Sequence, residues 1–214
     1  MLMWVSMGSW RHLASRQDLR PLRGCLRGPP PWDIGRPQPA FAALTETGAV
    51  AGRALDVGCG TGEHTLMAAG TGLDAVGMDS APTAIDRARR KAEDPNLAAR
   101  FILGDPLALD QLVTSPTDTF DTVLDCELFH VFTDQDRLRY VASLRAATGQ
   151  AAAFTCCAST TRPPATTPGR GGSLQQKSSP PSPPTGDIHE IHRDSIYIAS
   201  AAPLPAWVVS LVRR

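Results

Sequence analysis

The stretch that most constrains this chain is Ala54–Gly62, which reads ALDVGCGTG. Ala54, Leu55 and Val57 form a short apolar run of β character. Gly58, Gly60 and Gly62 follow at alternate positions, and Glu63–Ala69 reads as a helix. A buried strand that passes through a glycine turn into a helix N-terminus is a phosphate or nucleotide cradle. Glycine is needed where such a turn takes φ > 0, and where a side chain would hold a ligand off the backbone. Gly58 and Gly60, with Asp56 two residues ahead, are therefore candidate binding residues. The spacing is G-x-G-x-G, not the G-x-G-x-x-G of dinucleotide sites, and Glu63 stands where the third glycine of that pattern falls. A carboxylate there disfavours a pyrophosphate and suits a cationic ligand.

The elements around the turn read as alternating strands and helices. Pro29–Phe41, PPPWDIGRPQPAF, has four prolines in its first ten residues and is a stiff extended segment carrying Trp32. A helix over Pro39–Thr47 follows, ended by Gly48. Leu73–Met78 is the second strand, and Asp79 at its tip can accept both hydroxyls of a ribose. Ser80 is expected to cap a helix over Ala81–Glu93, with Ala84, Ile85 and Ala88 inward and Arg87, Arg89, Arg90 and Lys91 in water. Ala99–Leu103 is the third strand and Phe120–Leu124 the fourth. Thr133 caps a further helix, with Leu138, Val141 and Leu144 as its buried stripe and Arg137, Arg139 and Arg145 facing water. Ile188–Ile198 and Ala206–Val212 read as the last two strands, with Pro203 and Pro205 in the turn between them.

Three motifs resemble known proteins. ALDVGCGTG resembles motif I of the class I S-adenosylmethionine (SAM)-dependent methyltransferases. The run P-W-D-x-G-x-P at 31–37 is similar to the segment before motif I in the thiopurine S-methyltransferase and halide/thiol methyltransferase group. Asp125–Phe132, DCELFHVF, carries a D-x-x-L-F-H-x-F pattern similar to the same group. The resemblance covers residues 30–146 well and 187–214 weakly. It implies an α/β fold: a doubly wound, mostly parallel sheet with helices on both faces and an antiparallel final strand. It also implies an enzyme whose cofactor is SAM and whose acceptor is a small molecule with a soft nucleophile such as a thiol. Trp32 would wall the cofactor and substrate pocket. Asp56, Gly58, Gly60 and Asp79 would hold the cofactor, and Asp105 of Gly104-Asp105 would lie near the adenine amine. The fourth strand sits beside the first in such a sheet, so Asp125 and His130 would open onto the methyl group. His130 is then a candidate general base, since imidazole titrates near neutrality.

Composition sets the bounds. The 214 residues suffice for one α/β domain over 29–214, with 1–28 as a tail. Balanced charge argues against nucleic-acid or membrane partners. Residues 1–10 lack a signal peptide's basic region, and no run reaches membrane-spanning length. The five cysteines form neither a disulfide framework nor a metal-ligand spacing, so a cytoplasmic protein without a metal is expected. The sequence leaves the oligomeric state open.

Thr148–Thr185 breaks the pattern. From Ala158 to Gly186 the only large aliphatic residue is Leu174, among many Pro, Ser, Thr and Gly, so 158–186 reads as a low-complexity, disordered loop. A strand and a helix belong there, and neither is readable. A shifted reading frame restores both: Gly149–Phe154 can become RPGGRF and Gly169–Ser182 can become GPRRVTAAEIVAAF. On that reading the chain lacks its proper fifth strand and the helix beyond it, and the last two strands pair with what remains near Ala151–Cys157. Two other functions stay open: a non-catalytic or decayed SAM-binding protein, and a nicotinamide-dependent oxidoreductase, against which Glu63 stands.

Overall fold

A computed structural model describes residues 30, 32–93, 97–159, 186–199 and 201–213. The expected tail at 1–28 and nearly all of the expected loop at 158–186 lie outside the described residues.

The chain runs α1 (Pro39–Glu46), β1 (Ala54–Val57), α2 (Glu63–Gly70), β2 (Ala75–Asp79), α3 (Pro82–Lys91), β3 (Ala99–Leu103), β4 (Phe120–Cys126), α4 (Asp134–Ala147), β5 (Thr148–Ser159), β6 (Gly186–Ile198) and β7 (Ala201–Arg213). The strands form one sheet of seven in the order β3-β2-β1-β4-β5-β7-β6. β1 to β5 are parallel, and β7 runs antiparallel to both β5 and β6. This is the α/β architecture expected from the sequence. β1 lies between β2 and β4, so its glycine turn opens where the strand order reverses, the place at which such sheets bind ligands.

The pleat of the central strands separates two cores. Ala54, Ala75, Leu124, Cys157 and Val208 meet α1 and α2 on one face through Ala40, Phe41, Ala68 and Ala69. Leu55, Val57, Val76, Met78 and Val123 meet α4 on the other through Tyr140, Leu144 and Ala147. α3 packs beside α2 with Ile85 and Ala88 against Phe101 and Leu66. Gly62 holds the corner of β1 and α2. It begins α2 in the left-handed region, φ +92°, and a Cβ there would stand 2.7 Å from the Phe101 ring and 3.1 Å from Ala88.

Four local readings are corrected. Ser80 does not cap α3; Ala81 holds that position, and the Asp79 carboxylate takes its N–H at 2.8 Å. The buried stripe of α4 is Arg137, Tyr140, Leu144 and Ala147, while Leu138 is 56% exposed. Arg137 goes inward because its guanidinium finds the carbonyls of Phe129 and His130, at 3.3 and 3.2 Å. Pro203 and Pro205 lie within β7; the ladder to β5 ends at Ser159 opposite Ala206, so prolines beyond that point break no bond to β5. The fifth strand is present at Thr148–Ser159, in parallel register with β4 and antiparallel register with β7. Ala152, Cys156 and Cys157 supply enough apolar surface to hold it, and β7 does pair with the Ala153–Ser159 stretch. Its start is irregular: Phe120 pairs with Thr148 but Thr122 pairs with Ala153, and Ala151 takes φ +62°. The strand absorbs that surplus as a bulge.

Gly62→Ala is expected to destabilise the protein by roughly 2–4 kcal/mol in urea denaturation, combining the left-handed penalty with the overlap on Phe101. Gly72→Ala is the control: its φ is +87°, and among the described residues a Cβ there meets nothing within 4 Å. Equal losses in the two variants would remove the Phe101 contact from the account.

Candidate functional site

The carboxyl ends of β1, β2 and β4 bring most of the expected residues together. Gly58 and Gly60 take φ +74° and +54° in the turn after β1. A Cβ at Gly58 would press on Leu128 at 3.2 Å, whereas at Gly60 it would meet nothing within 4 Å among the described residues. The Gly60 N–H donates to Asp79 Oδ2 at 2.9 Å, and Asp79 Oδ1 accepts from Ala81. One carboxylate thus links the ends of two adjacent strands. Each of its oxygens has a second lone-pair direction, which suits a pair of vicinal hydroxyls.

Two other aspartates serve the scaffold. Asp56 is buried beneath the turn, where its Oδ2 accepts from the Thr65 N–H at 3.1 Å and the Thr65 hydroxyl at 2.8 Å. Burial pushes its pKa up to about 7 against those two bonds, with smaller upward contributions from Asp79 and Asp125. Asp125 is fully buried; its Oδ1 accepts from the Leu128 and Phe129 N–H groups and its Oδ2 from the Tyr140 hydroxyl at 2.9 Å. Burial raises it to about 6 despite these bonds. Asp125 therefore shapes the loop after β4. Asp105 is exposed, and its Oδ1 accepts from Leu107 at 2.9 Å at the head of a 3₁₀ turn.

His130 sits in the 3₁₀ turn Phe129–Val131, with Nε2 3.6 Å from Glu127 Oε2. Burial lowers its pKa, the Glu127 carboxylate works the other way, and Arg137 adds to the lowering. Trp32 is 51% exposed. The residue after it reaches the turn: Asp33 Oδ2 accepts from the Thr61 hydroxyl at 2.9 Å. Gln38 fixes the other end of this strap. Its N–H donates to His64 Nε2, and its side-chain amide pairs with both backbone groups of Tyr197 at 3.0 and 2.9 Å. Between strap and β6 lies a cleft of about 290 Å³, lined by Asp33, Ile34, Arg36, Tyr197, Ile198 and Ala199.

Sequence reasoning missed Asp33, Gln38, Glu127 and Tyr140. Asp33 lay in the quoted P-W-D run and was legible there; the others depend on partners distant in sequence or on backbone conformation. Glu63 forms an ion pair with Lys91, so its charge does not stand alone beside the turn. Among the described residues no group of three or more His, Cys, Asp or Glu is placed to hold a metal, and no helix is long and apolar enough to cross a membrane.

Fold and site together define an α/β protein with a glycine turn at the carboxyl ends of β1 and β2, the place at which such sheets bind ligands. Residues 54–150 match the model of the methyltransferase domain family. A solved structure described under the conversion of a disulfide bond into a thioacetal group during echinomycin biosynthesis is 32% identical, with 86% of this chain and 84% of that one covered and a TM-score of 0.73. The chain belongs to the class I SAM-dependent methyltransferases. The 2-heptyl-1-hydroxyquinolin-4(1H)-one methyltransferase of Mycobacteroides abscessus is 37% identical over 130 residues, 60% of this chain and 56% of that protein. Probable thiol methyltransferase 2 of Arabidopsis thaliana is 37% identical over 106 residues, 49% of this chain and 46% of that protein. The chain thus spans about half the length of these curated relatives. Magnesium protoporphyrin IX methyltransferase from Synechocystis PCC 6803 with bound SAM shares the fold, with a TM-score of 0.57 at 18% identity.

SAM is the cofactor of this family, and the residues present fit it. Gly60 leaves open space over the turn, and Asp79 offers the acceptors that a ribose diol needs.

The buried Asp56 gives a signed pH prediction. Its folded pKa of about 7 lies above the ordinary carboxyl value of about 4, so the folded state holds a proton that the unfolded state has lost. That contribution to stability is complete below about pH 4 and disappears as pH rises to about 7. Asp125 acts in the same direction over a narrower window. In urea titrations across this range, the stability of the wild type relative to Asp56→Asn is expected to fall as pH rises. A difference that stays flat would mean that Asp56 is ionised throughout.

Proposed function

We propose that this protein transfers the methyl group of SAM to a small-molecule nucleophile, with thiols and other soft acceptors preferred. The observation that carries the reading is the Asp79 carboxylate bridging the Gly60 and Ala81 N–H groups at the open end of the sheet. When bound, SAM supplies an electrophilic methyl group on a sulfonium centre. Asp79 would hold the ribose, Gly58 and Gly60 would let the cofactor lie against the backbone, and Asp105 would lie by the adenine. Asp56 and Asp125 would act from beneath, one by fixing the start of α2 and the other by fixing the loop that carries His130. Trp32 leaves an indole half exposed beside the strap's anchor on Thr61, and a bound ligand would cover it. Alignment and exclusion of water then do most of what a soft nucleophile requires.

The thiol preference rests on the Arabidopsis relative; the quinolone relative supports a small cyclic acceptor with an N-hydroxyl oxygen. The proposed setting is the cytoplasm, which the free thiols of Cys59, Cys126, Cys156 and Cys157 support.

Calorimetric titration with S-adenosylhomocysteine tests the cofactor site. Asp79→Ala is expected to weaken binding by about 1.5–3 kcal/mol, the scale of hydrogen bonds to a charged group. Unchanged affinity would overturn the ribose assignment, and no binding by the wild type would overturn the reading as a whole. His130→Ala is expected to lower kcat more for a hydroxyl acceptor than for a thiol. Burial lowers the pKa of the imidazole, which favours its proton-accepting form, and a thiol is already partly ionised near pH 8. Equal losses would mean that His130 only packs or binds.

A further inference from the structure

Glu127 is the residue that the site has not yet explained. It follows the last residue of β4 and takes φ +66°. Among the described residues only Glu127 and Ala151 hold positive φ without being glycine, and Ala151 belongs to the β5 bulge. Left-handed backbone costs a residue with a Cβ on the order of 1–2 kcal/mol, and such outliers gather at functional sites. The conformation is held firmly: the Glu127 N–H donates to the Cys157 carbonyl at 2.9 Å, and the following Leu128 N–H donates to Asp125.

The backbone at this position suits glycine, yet it carries a carboxylate. That carboxylate turns back on its own loop, and Oε2 lies 3.6 Å from His130 Nε2, with both side chains largely covered at 21% and 16% exposure. Arg137 approaches from α4 with its guanidinium on the His130 carbonyl, and it is itself paired with Asp134. From β5, Cys156 and Cys157 present thiols that burial keeps protonated. Asp125, behind the loop, is engaged by Tyr140 and two N–H groups. Among the described residues, Glu127 brings a carboxylate to the imidazole and Arg137 a cation.

We propose that Glu127 is a positioning residue that pairs with the His130 imidazole and stabilises the imidazolium formed when His130 takes the acceptor's proton. The inference rests on the methyl-transfer reading above. The balance is simple. The acceptor's lone pair forms the new bond to carbon, the pair of the broken carbon–sulfur bond stays on sulfur, and the acceptor's proton moves to His130. Glu127 takes no proton. A pair of this kind extends the site beyond thiolates to acceptors that arrive protonated, such as hydroxyl or N-hydroxyl groups.

The test is an NMR titration of the His130 imidazole in the full chain, run on wild type, Glu127→Gln and Glu127→Gly. Both variants are expected to titrate at lower pH than the wild type, because the carboxylate that favours the charged imidazole is gone. Glu127→Gly is also expected to unfold at higher urea concentration, through release of the positive-φ strain, which separates loss of the pair from loss of the fold. With S-adenosylhomocysteine binding retained, kcat on a hydroxyl acceptor is expected to fall at least about tenfold in Glu127→Gln, part of the roughly 10²–10⁴-fold that a positioned base contributes. A thiol acceptor should lose much less. An unmoved His130 titration overturns the pairing, and equal losses on the two acceptors overturn the proton-transfer role. A wild type that binds S-adenosylhomocysteine, shows the pairing and methylates no acceptor overturns the methyl-transfer reading instead.

Discussion

The site depends on a single carboxylate shared between two backbone amides. Asp79 ends β2 and accepts the Gly60 N–H from the turn after β1 and the Ala81 N–H that opens α3. β1 and β2 are hydrogen-bonded in register up to Val57 opposite Met78, so the bridge spans the point at which the two chains leave the sheet. The Gly58 and Cys59 N–H groups add to it by donating to the Met78 carbonyl at 2.8 and 2.9 Å. Three residues of the glycine turn have positive φ, and such a turn is entropically expensive to order. The acid that would meet the ribose is thus the acid that shapes the surface around it.

Around that bridge the buried acids divide the remaining tasks. Asp56 fixes the start of α2 and Asp125 fixes the loop after β4, both from below and both out of contact with water. Burial makes each of them a weak acid, and hydrogen bonds from hydroxyls and amides hold them in place. Arg137 gives the same loop a cationic support from α4, resting over the Phe129 ring at 5.4 Å. The loop that carries Glu127 and His130 is therefore braced on both sides.

Much of this was legible in the sequence because the strong signals are local. The β1 turn, the capping threonine of α4 and the aspartate at the end of β2 each follow from neighbours a few residues away. What was not legible involves long range or conformation. Arg137 reads as a solvated residue until the carbonyls of Phe129 and His130 are known to lie against its helix. Pro203 and Pro205 read as turn formers until it is known that β7 outruns β5. The segment after α4 reads as lost, yet its first residues complete the sheet, because a strand between two others needs little more than small apolar side chains and free backbone groups. The family match ends at residue 150, within the stretch where two steps along β4 face five along β5. Among the described residues this irregularity lies at the start of β5, at the closed end of the sheet and away from the glycine turn.

The Gln38 amide has a further consequence, in the order of assembly. It grips both backbone groups of Tyr197, a residue 159 positions later. A contact that spans so much of the chain closes late, since the entropy of joining such distant positions opposes it. On a ribosome the glycine turn, β2 and β4 can all be in place before Tyr197 has been synthesised. Until then the strap is held by Asp33 on Thr61 and by Gln38 on His64, and Tyr197 adds its last fastening only after the rest of the sheet has folded.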